Sequence, residues 1–266
     1  MNTNHTTRHT QTNANLNALK LLAIAAMIWD HAAAGWTTYV NPHIHDYILL
    51  RSPGRICMPI FSFLVAWNLL HNTRNPEKYA IRLALWAIIC EPIYINYFQY
   101  PGNAFLPLAL GAAITNQLNA MTEATNATGT PTDTPETRSR RQQDPQAAAN
   151  AKGTPTAGLI MLTCATILIA LLFQAPDIAA QTATIPAAYF AMKNRSTILA
   201  AAATSLLPFF NGFCWQYSAM YCTALALIAL CFHPAIKMPH RKLPKWAAYA
   251  FYPGHLIVLT LLFHGA

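Results

Sequence analysis

Residues 16–36 read LNALKLLAIAAMIWDHAAAGW, and this stretch decides the class of fold. It is apolar almost throughout, with one lysine near its start and a single ionisable pair, Asp30-His31, in its second half. A surface helix of a soluble domain would alternate a polar face with an apolar one. A run this long without a polar face reads instead as a helix that crosses a bilayer, for which about 20 apolar residues suffice. Met1 to Asn17 are polar, so nothing ahead of the run resembles a cleavable signal peptide, and the run itself reads as a retained first span.

Working outward, apolar runs recur at 16–37, 56–71, 79–98, 104–119, 157–174, 178–192, 196–211, 216–232 and 246–264. Each predicts a helix, because a chain in lipid must satisfy its own backbone hydrogen bonds. The expected fold is therefore all-α, a polytopic transmembrane bundle of about nine spans; the pair 178–192 and 196–211 can also be read as one re-entrant hairpin. Composition agrees. Of 266 residues, 54% are hydrophobic and 10% charged, against about 25% charged in soluble domains. That excludes an ordinary cytosolic enzyme, a nucleic-acid-binding module and a disulfide-stapled secreted domain.

The net charge of +8 fits the same layout. With the N-terminus in the cytoplasm and the chain alternating, all Lys and Arg except Arg51 and Arg55 fall on the inside, as the positive-inside rule requires. The six cysteines lie scattered in apolar runs with no CxxC or zinc spacing and read as buried hydrophobes. Residues 120–156 are rich in Thr, Ala, Pro and Gln, lack aromatics and carry RSRR at 138–141, the composition of a disordered inside loop. The expected organisation is a polar tail over 1–15, a first membrane bundle over 16–119, that loop, and a second bundle over 157–266.

Ionisable residues inside spans are costly and point to function. Asp30 and His31 lie about 20 Å along the first span. Glu91 sits within the third and precedes Pro92, and His255 lies in the last, just after Pro253-Gly254. Helix neighbours point about 100° apart, so Asp30 is poorly placed to orient His31. If His31 is a base, Glu91 from another helix is the expected orienting carboxylate, with a structural bond to a neighbouring helix as its alternative; Asp30 either helps to stabilise the imidazolium or pairs with Arg51 or Arg55 to lock helices together. These two arginines flank Ser52-Pro53-Gly54, which cannot continue a helix comfortably. Outside against the charge rule, they are expected to hold a carboxylate, or a phosphate or carbonyl oxygen of a substrate, through forked hydrogen bonds; helix-end snorkelling is the alternative. His43, His45 and Asp46 form only a weak metal-ligand pattern, and no metal is expected.

Three segments carry a family resemblance: 16–36 with its Asp30-His31 end; 51–95 with Gly54-Arg55, Pro59, Phe61, the TRN-x-x-KY-x-x-R stretch from Thr73 to Arg82, and Glu91-Pro92; and 245–259 with Tyr252-Pro253-Gly254-His255. Together they resemble TraX, multi-spanning inner-membrane proteins linked to acetylation of the pilin N-terminus and similar to the membrane acyltransferases that use an intramembrane histidine. The resemblance implies an acetyl-CoA-dependent N- or O-acetyltransferase of the bacterial inner membrane. Its implied catalytic set is His31, Asp30, Glu91 and His255, with either histidine as base. Arg74, Lys78 and Arg82 would bind the phosphates of acetyl-CoA, and Arg51 and Arg55 the reacting acyl group. The implied partners are the lipid bilayer, acetyl-CoA and a pilin or another envelope acceptor, with no nucleic acid. Two other readings use the same residues: a permease working through its buried charges, and a non-catalytic pilus or envelope assembly protein in which they only fix helix packing.

Overall fold

The computed structural model describes residues 3–42, 47–128, 176–206, 218–233, 235–238 and 245–264. Among these the chain is helical, with no strand. Helix α1 runs Thr3–Gly35 and ends in a π-helical turn, Trp36–Val40. A second helical stretch joins α2 (Tyr47–Arg51), a 3-10 turn (Ser52–Ile56), α3 (Cys57–Trp67) and a π-helical turn (Asn68–Asn72). Then come α4 (Pro76–Phe98), α5 (Phe105–Thr128), α6 (Pro176–Lys193), α7 (Thr197–Leu206), α8 (Ser218–Leu230) and α9 (Lys245–His264).

Local chemistry explains the boundaries. Asn75 caps α4 by accepting the Lys78 amide at 2.9 Å, and Pro76 occupies the first helical turn where no amide donor is needed. Gln99 closes α4 in the left-handed region, φ 64°, its amide returning to the Ile95 carbonyl at 2.8 Å. Arg195, φ 68°, makes the tight turn between α6 and α7, which form a helical hairpin. The Ser52-Pro53-Gly54 break predicted from the sequence is a 3-10 turn inside a continuing helical stretch. Gly54 is what permits it: a β-carbon there would collide with Asp30, so the turn rests directly on α1.

Among the described residues, three stretches are long and apolar enough to cross a bilayer: Gln11–Val40, Tyr47–Asn72 and Pro76–Phe98. α7, α8 and the Tyr249–Phe263 part of α9 are shorter apolar helices. The expected span at 157–174 lies outside the described residues, as does most of the 120–156 loop. Its first residues, 120–128, continue α5 as helix. The polar segment ahead of the first run is likewise part of α1.

The helices are apolar on both sides, the pattern of a bundle in lipid. On α4, Ala80, Leu83, Ala87, Cys90, Tyr94 and Tyr97 are buried, while Ile81, Leu85, Ile88 and Ile95 stand exposed on the opposite stripe. α3 is central, packed by α1, α6, α7 and α8, with Ile60, Phe63 and Ala66 wholly enclosed. α9 lies against both α1 and α4. Near the N-terminal end of α1, buried Asn15 uses its whole amide: Nδ2 donates to the Cys231 and Ile236 carbonyls, each at 2.9 Å, and Oδ1 accepts the Met238 amide at 2.9 Å. That bond set ties the chain leaving α8 to α1.

Candidate functional site

Where α1, α4 and α9 meet, two histidines touch. His31 Nδ1 lies 2.7 Å from His255 Nε2, and the two rings are nearly parallel, 10° apart. Both side chains are buried, at 7% and 8% exposure. His255 faces inward because Tyr252, His255, Leu256 and Leu259, spaced three and four apart, form the buried stripe of α9. Aromatic rings close the pair off. Phe98 and Tyr252 meet His31 edge-on with centroids at 5.1 and 5.9 Å, and Phe251 stacks on His255 at 5.3 Å. The second nitrogen of His255, Nδ1, lies 3.0 Å from the Phe251 carbonyl oxygen one turn back on its own helix.

Below the pair, Tyr97 donates its hydroxyl to the His31 carbonyl at 2.7 Å, and Tyr39 donates to the Tyr97 carbonyl at 2.7 Å. Gly35 makes this approach possible, since a β-carbon there would overlap the Tyr97 hydroxyl and the Phe263 ring. α1 is thereby held to α4 at the backbone of His31 itself.

Asp30 points elsewhere. Arg51 grips it with both arms of the fork, Nε to Oδ1 at 3.0 Å and Nη2 to Oδ2 at 2.7 Å, and both residues are buried. Arg55 Nε stands 3.5 Å from the same Oδ1, and Arg51 also donates to the Tyr47 hydroxyl. Of the alternatives open for the two arginines, the structure has them on Asp30. The pair Asp30–Arg51 fixes α1 to α2 and the 3-10 turn.

Glu91 does not reach His31. Its carboxylate accepts the Gly102 amide at 2.7 Å, the Asn103 amide at 3.2 Å and the Asn103 side chain, closing the turn between α4 and α5. Asn103, fully buried, also donates to the Ala87 carbonyl and accepts the Phe105 amide at the start of α5. The role expected for Glu91, orienting a histidine, falls geometrically to His255. The reason is local: the turn after α4 leaves backbone amides unpaired, and a carboxylate on the last turns of that helix is the nearest acceptor. Tyr252 links the two sites, since its hydroxyl accepts the Ala104 amide at 3.2 Å while its ring packs on His31.

Arg74, Lys78 and Arg82 are exposed near the start of α4. Arg82 is sixteen residues, about 24 Å of helix, from the Phe98 ring that touches His31. The histidine pair and these basic residues are thus at opposite ends of α4, and Arg82 lies against the Tyr249 hydroxyl. A cleft of about 300 Å³ between α4 and α9 is lined by Pro92, Ile93, Asn96, Ile257, Thr260 and Leu261. Its α9 residues lie roughly 140–240° around the helix from His255, so it opens on the other face of α9.

Among the described residues no group of three His, Cys, Asp or Glu is arranged to hold a metal; His43, His45 and Asp46 lie outside them. Sequence reading missed Tyr97 and Phe98, whose aromatic side chains in an apolar span carry no signal beyond packing. Lys20, counted with the inside charges in the sequence, is half-buried within the first span, on nearly the same face of α1 as His31.

A family model described as TraX protein matches residues 15–263. The chain is also similar to the probable fimbrial assembly protein FimC, serogroup H1, of Dichelobacter nodosus, 30% identical over 105 residues, 35% of this chain. The match spans 41% of that protein's length. No solved structure matches the chain.

Proposed function

Since the chain belongs to the TraX protein family, we propose that it is an integral membrane acetyltransferase that moves an acetyl group from acetyl-CoA to an envelope acceptor, the amino terminus of a pilin subunit being the leading candidate. The observation that carries this reading is the buried His31–His255 pair inside an aromatic shell. A histidine screened from water and oriented by a second group is what general-base acyl transfer needs. The similarity to a fimbrial assembly protein supports a pilus-related acceptor.

The reaction balances with the groups present. The acceptor amine attacks the thioester carbonyl carbon, a C–N bond forms and the C–S bond breaks. His31 takes the proton released by the amine and returns it to the departing thiolate, giving coenzyme A and the acetylated amine. A hydroxyl acceptor follows the same course with a C–O bond.

Donor phosphates would lie toward the end where α1 begins, on the cytoplasmic side in the orientation expected from the charge pattern. Lys20 supports this placement. It precedes His31 by eleven residues, three helical turns and about 16 Å along the axis. The arm of coenzyme A from diphosphate to sulfur has about thirteen bonds, which at the reach of an extended chain span roughly 15 Å. Arg74, Lys78 and Arg82 would add positive potential at that end.

The test uses purified full-length protein in detergent with radiolabelled acetyl-CoA and a pilin or membrane-extract acceptor. Coenzyme A release together with label transfer in the wild type, both lost in a folded His31→Gln variant, supports the reading. No turnover with any acceptor overturns it, and solute-uptake assays on Asp30 and Glu91 variants would then examine the permease alternative.

A further inference from the structure

We infer that His255 is a positioning residue: it fixes His31 as the Nδ1–H tautomer, so that His31 Nε2 is the nitrogen that accepts the proton.

The inference follows from what each atom is able to donate. The Phe251 carbonyl oxygen only accepts hydrogen bonds, so the 3.0 Å contact places a proton on His255 Nδ1. A neutral imidazole carries one N–H, which leaves His255 Nε2 with a lone pair. The 2.7 Å contact between His255 Nε2 and His31 Nδ1 needs one proton between them, and it must therefore sit on His31 Nδ1. His31 then has a bare Nε2. An imidazolium at His255 would reverse the direction of the chain. Two buried rings held edge and face by Phe98, Phe251 and Tyr252 disfavour that charge.

The chain carbonyl–His255–His31 performs the task that a carboxylate–histidine contact performs in a hydrolytic triad. When His31 gains a proton at Nε2, its Nδ1–H bond to His255 becomes charge-assisted and strengthens. A neutral acceptor suits this location, because a carboxylate among the same aromatic rings would be a buried charge requiring its own partners. The two carboxylates nearby are already engaged, Asp30 by Arg51 and Glu91 by Gly102 and Asn103. The tautomer follows from geometry alone, whereas the catalytic use of Nε2 rests on the acetyltransferase reading.

The experiment keeps the two separable. Full-length protein labelled with ¹⁵N-histidine is purified in detergent, and the ring-nitrogen resonances of His31 and His255 are identified by their disappearance in His31→Gln and His255→Gln variants. The expected spectrum at neutral pH gives both residues a protonated Nδ1 and a bare Nε2, the less common tautomer of a free imidazole. A protonated Nε2 on His31 overturns the relay whether or not the protein turns over acetyl-CoA. In the activity arm, His255→Leu removes the acceptor, and His255→Gln keeps an amide oxygen able to reach the place of Nε2. His255→Leu is expected to turn over about 100-fold more slowly than wild type, or slower still, with little change in the KM for the donor. His255→Gln is expected to recover at least about tenfold of that loss. Equal activity in the two variants overturns the positioning role. A wild type inactive toward acetyl-CoA overturns the acetyltransferase reading, and the relay is then decided by the spectrum.

Discussion

Asp30 and His31 are consecutive residues on one helix, yet they belong to different parts of the molecule. Asp30 faces α2 and the 3-10 turn and is saturated by arginine; His31 faces α4 and α9 and meets aromatic rings and one imidazole. The first neighbourhood is ionic and strapped by a bidentate bond; the second is aromatic, with one imidazole as the polar partner of the His31 ring. The 100° step between adjacent helical residues produces this division. It teaches that a conspicuous dipeptide need not act as a unit: one half joins helices through an ion pair, and the other meets a second histidine across the bundle.

The largest test of that contrast is kinetic. His31→Gln is expected to lower acetyl transfer by about 10²–10⁴-fold, the usual range for loss of a positioned base, with a melting temperature close to wild type. A variant that melts early would return His31 to a packing role. On the other side, Arg51→Ala strips the buried Asp30 carboxylate of its bidentate partner and leaves it only the longer contact with Arg55, and is expected to cost up to about 3–5 kcal/mol of stability. Thermal unfolding in detergent reads this directly. The double variant Asp30→Ala/Arg51→Ala should recover part of the loss, and equal stability of single and double variants would contradict an ion-pair clamp.

Gly35 and Gly254 offer a finer comparison beside the histidines. Gly35→Ala drives a methyl into Tyr97 and Phe263 and is expected to destabilise by about 1–3 kcal/mol. Gly254 has nothing within 4 Å of a would-be β-carbon, so Gly254→Ala should be neutral or stabilising by up to about 1 kcal/mol through helix propensity. Comparable losses in both would mean that α9 packs differently around His255. The smallest kinetic effect is expected for Glu91→Gln, which retains an acceptor for the turn amides: about 1–2 kcal/mol of stability and less than a tenfold change in transfer rate. Abolished transfer in a folded Glu91→Gln protein would restore Glu91 to the histidine site.

Much of this was legible in the sequence, and for identifiable reasons. The run at 16–36 gives an apolar helix because length and composition alone decide that, and Asp30, His31 and His255 are conspicuous because ionisable groups are rare in such runs. The poor geometry for an Asp30–His31 contact also follows from helix periodicity. Which helices meet does not. Nothing in the spacing of His31 and His255, separated by most of the chain, announces that their rings touch. Glu91 reads from the sequence as a carboxylate for a histidine or for a neighbouring helix, and only the path of the chain through Gly102 and Asn103 shows that its carboxylate serves the turn after α4. Tyr97 and Phe98 are invisible for the opposite reason, since aromatic residues in a span are common enough to carry no message.

Asn15 has a consequence of its own. It binds the chain at 231–238, ahead of α9, to α1 at a point sixteen residues before His31, about 24 Å along the helix. Tyr97 and Tyr39 secure α1 again near its far end. A helix pinned at both ends cannot slide by a turn, about 5.4 Å, without tearing one pin out. The register that brings His31 level with His255 is therefore guarded from a distance, by an amide that touches neither ring.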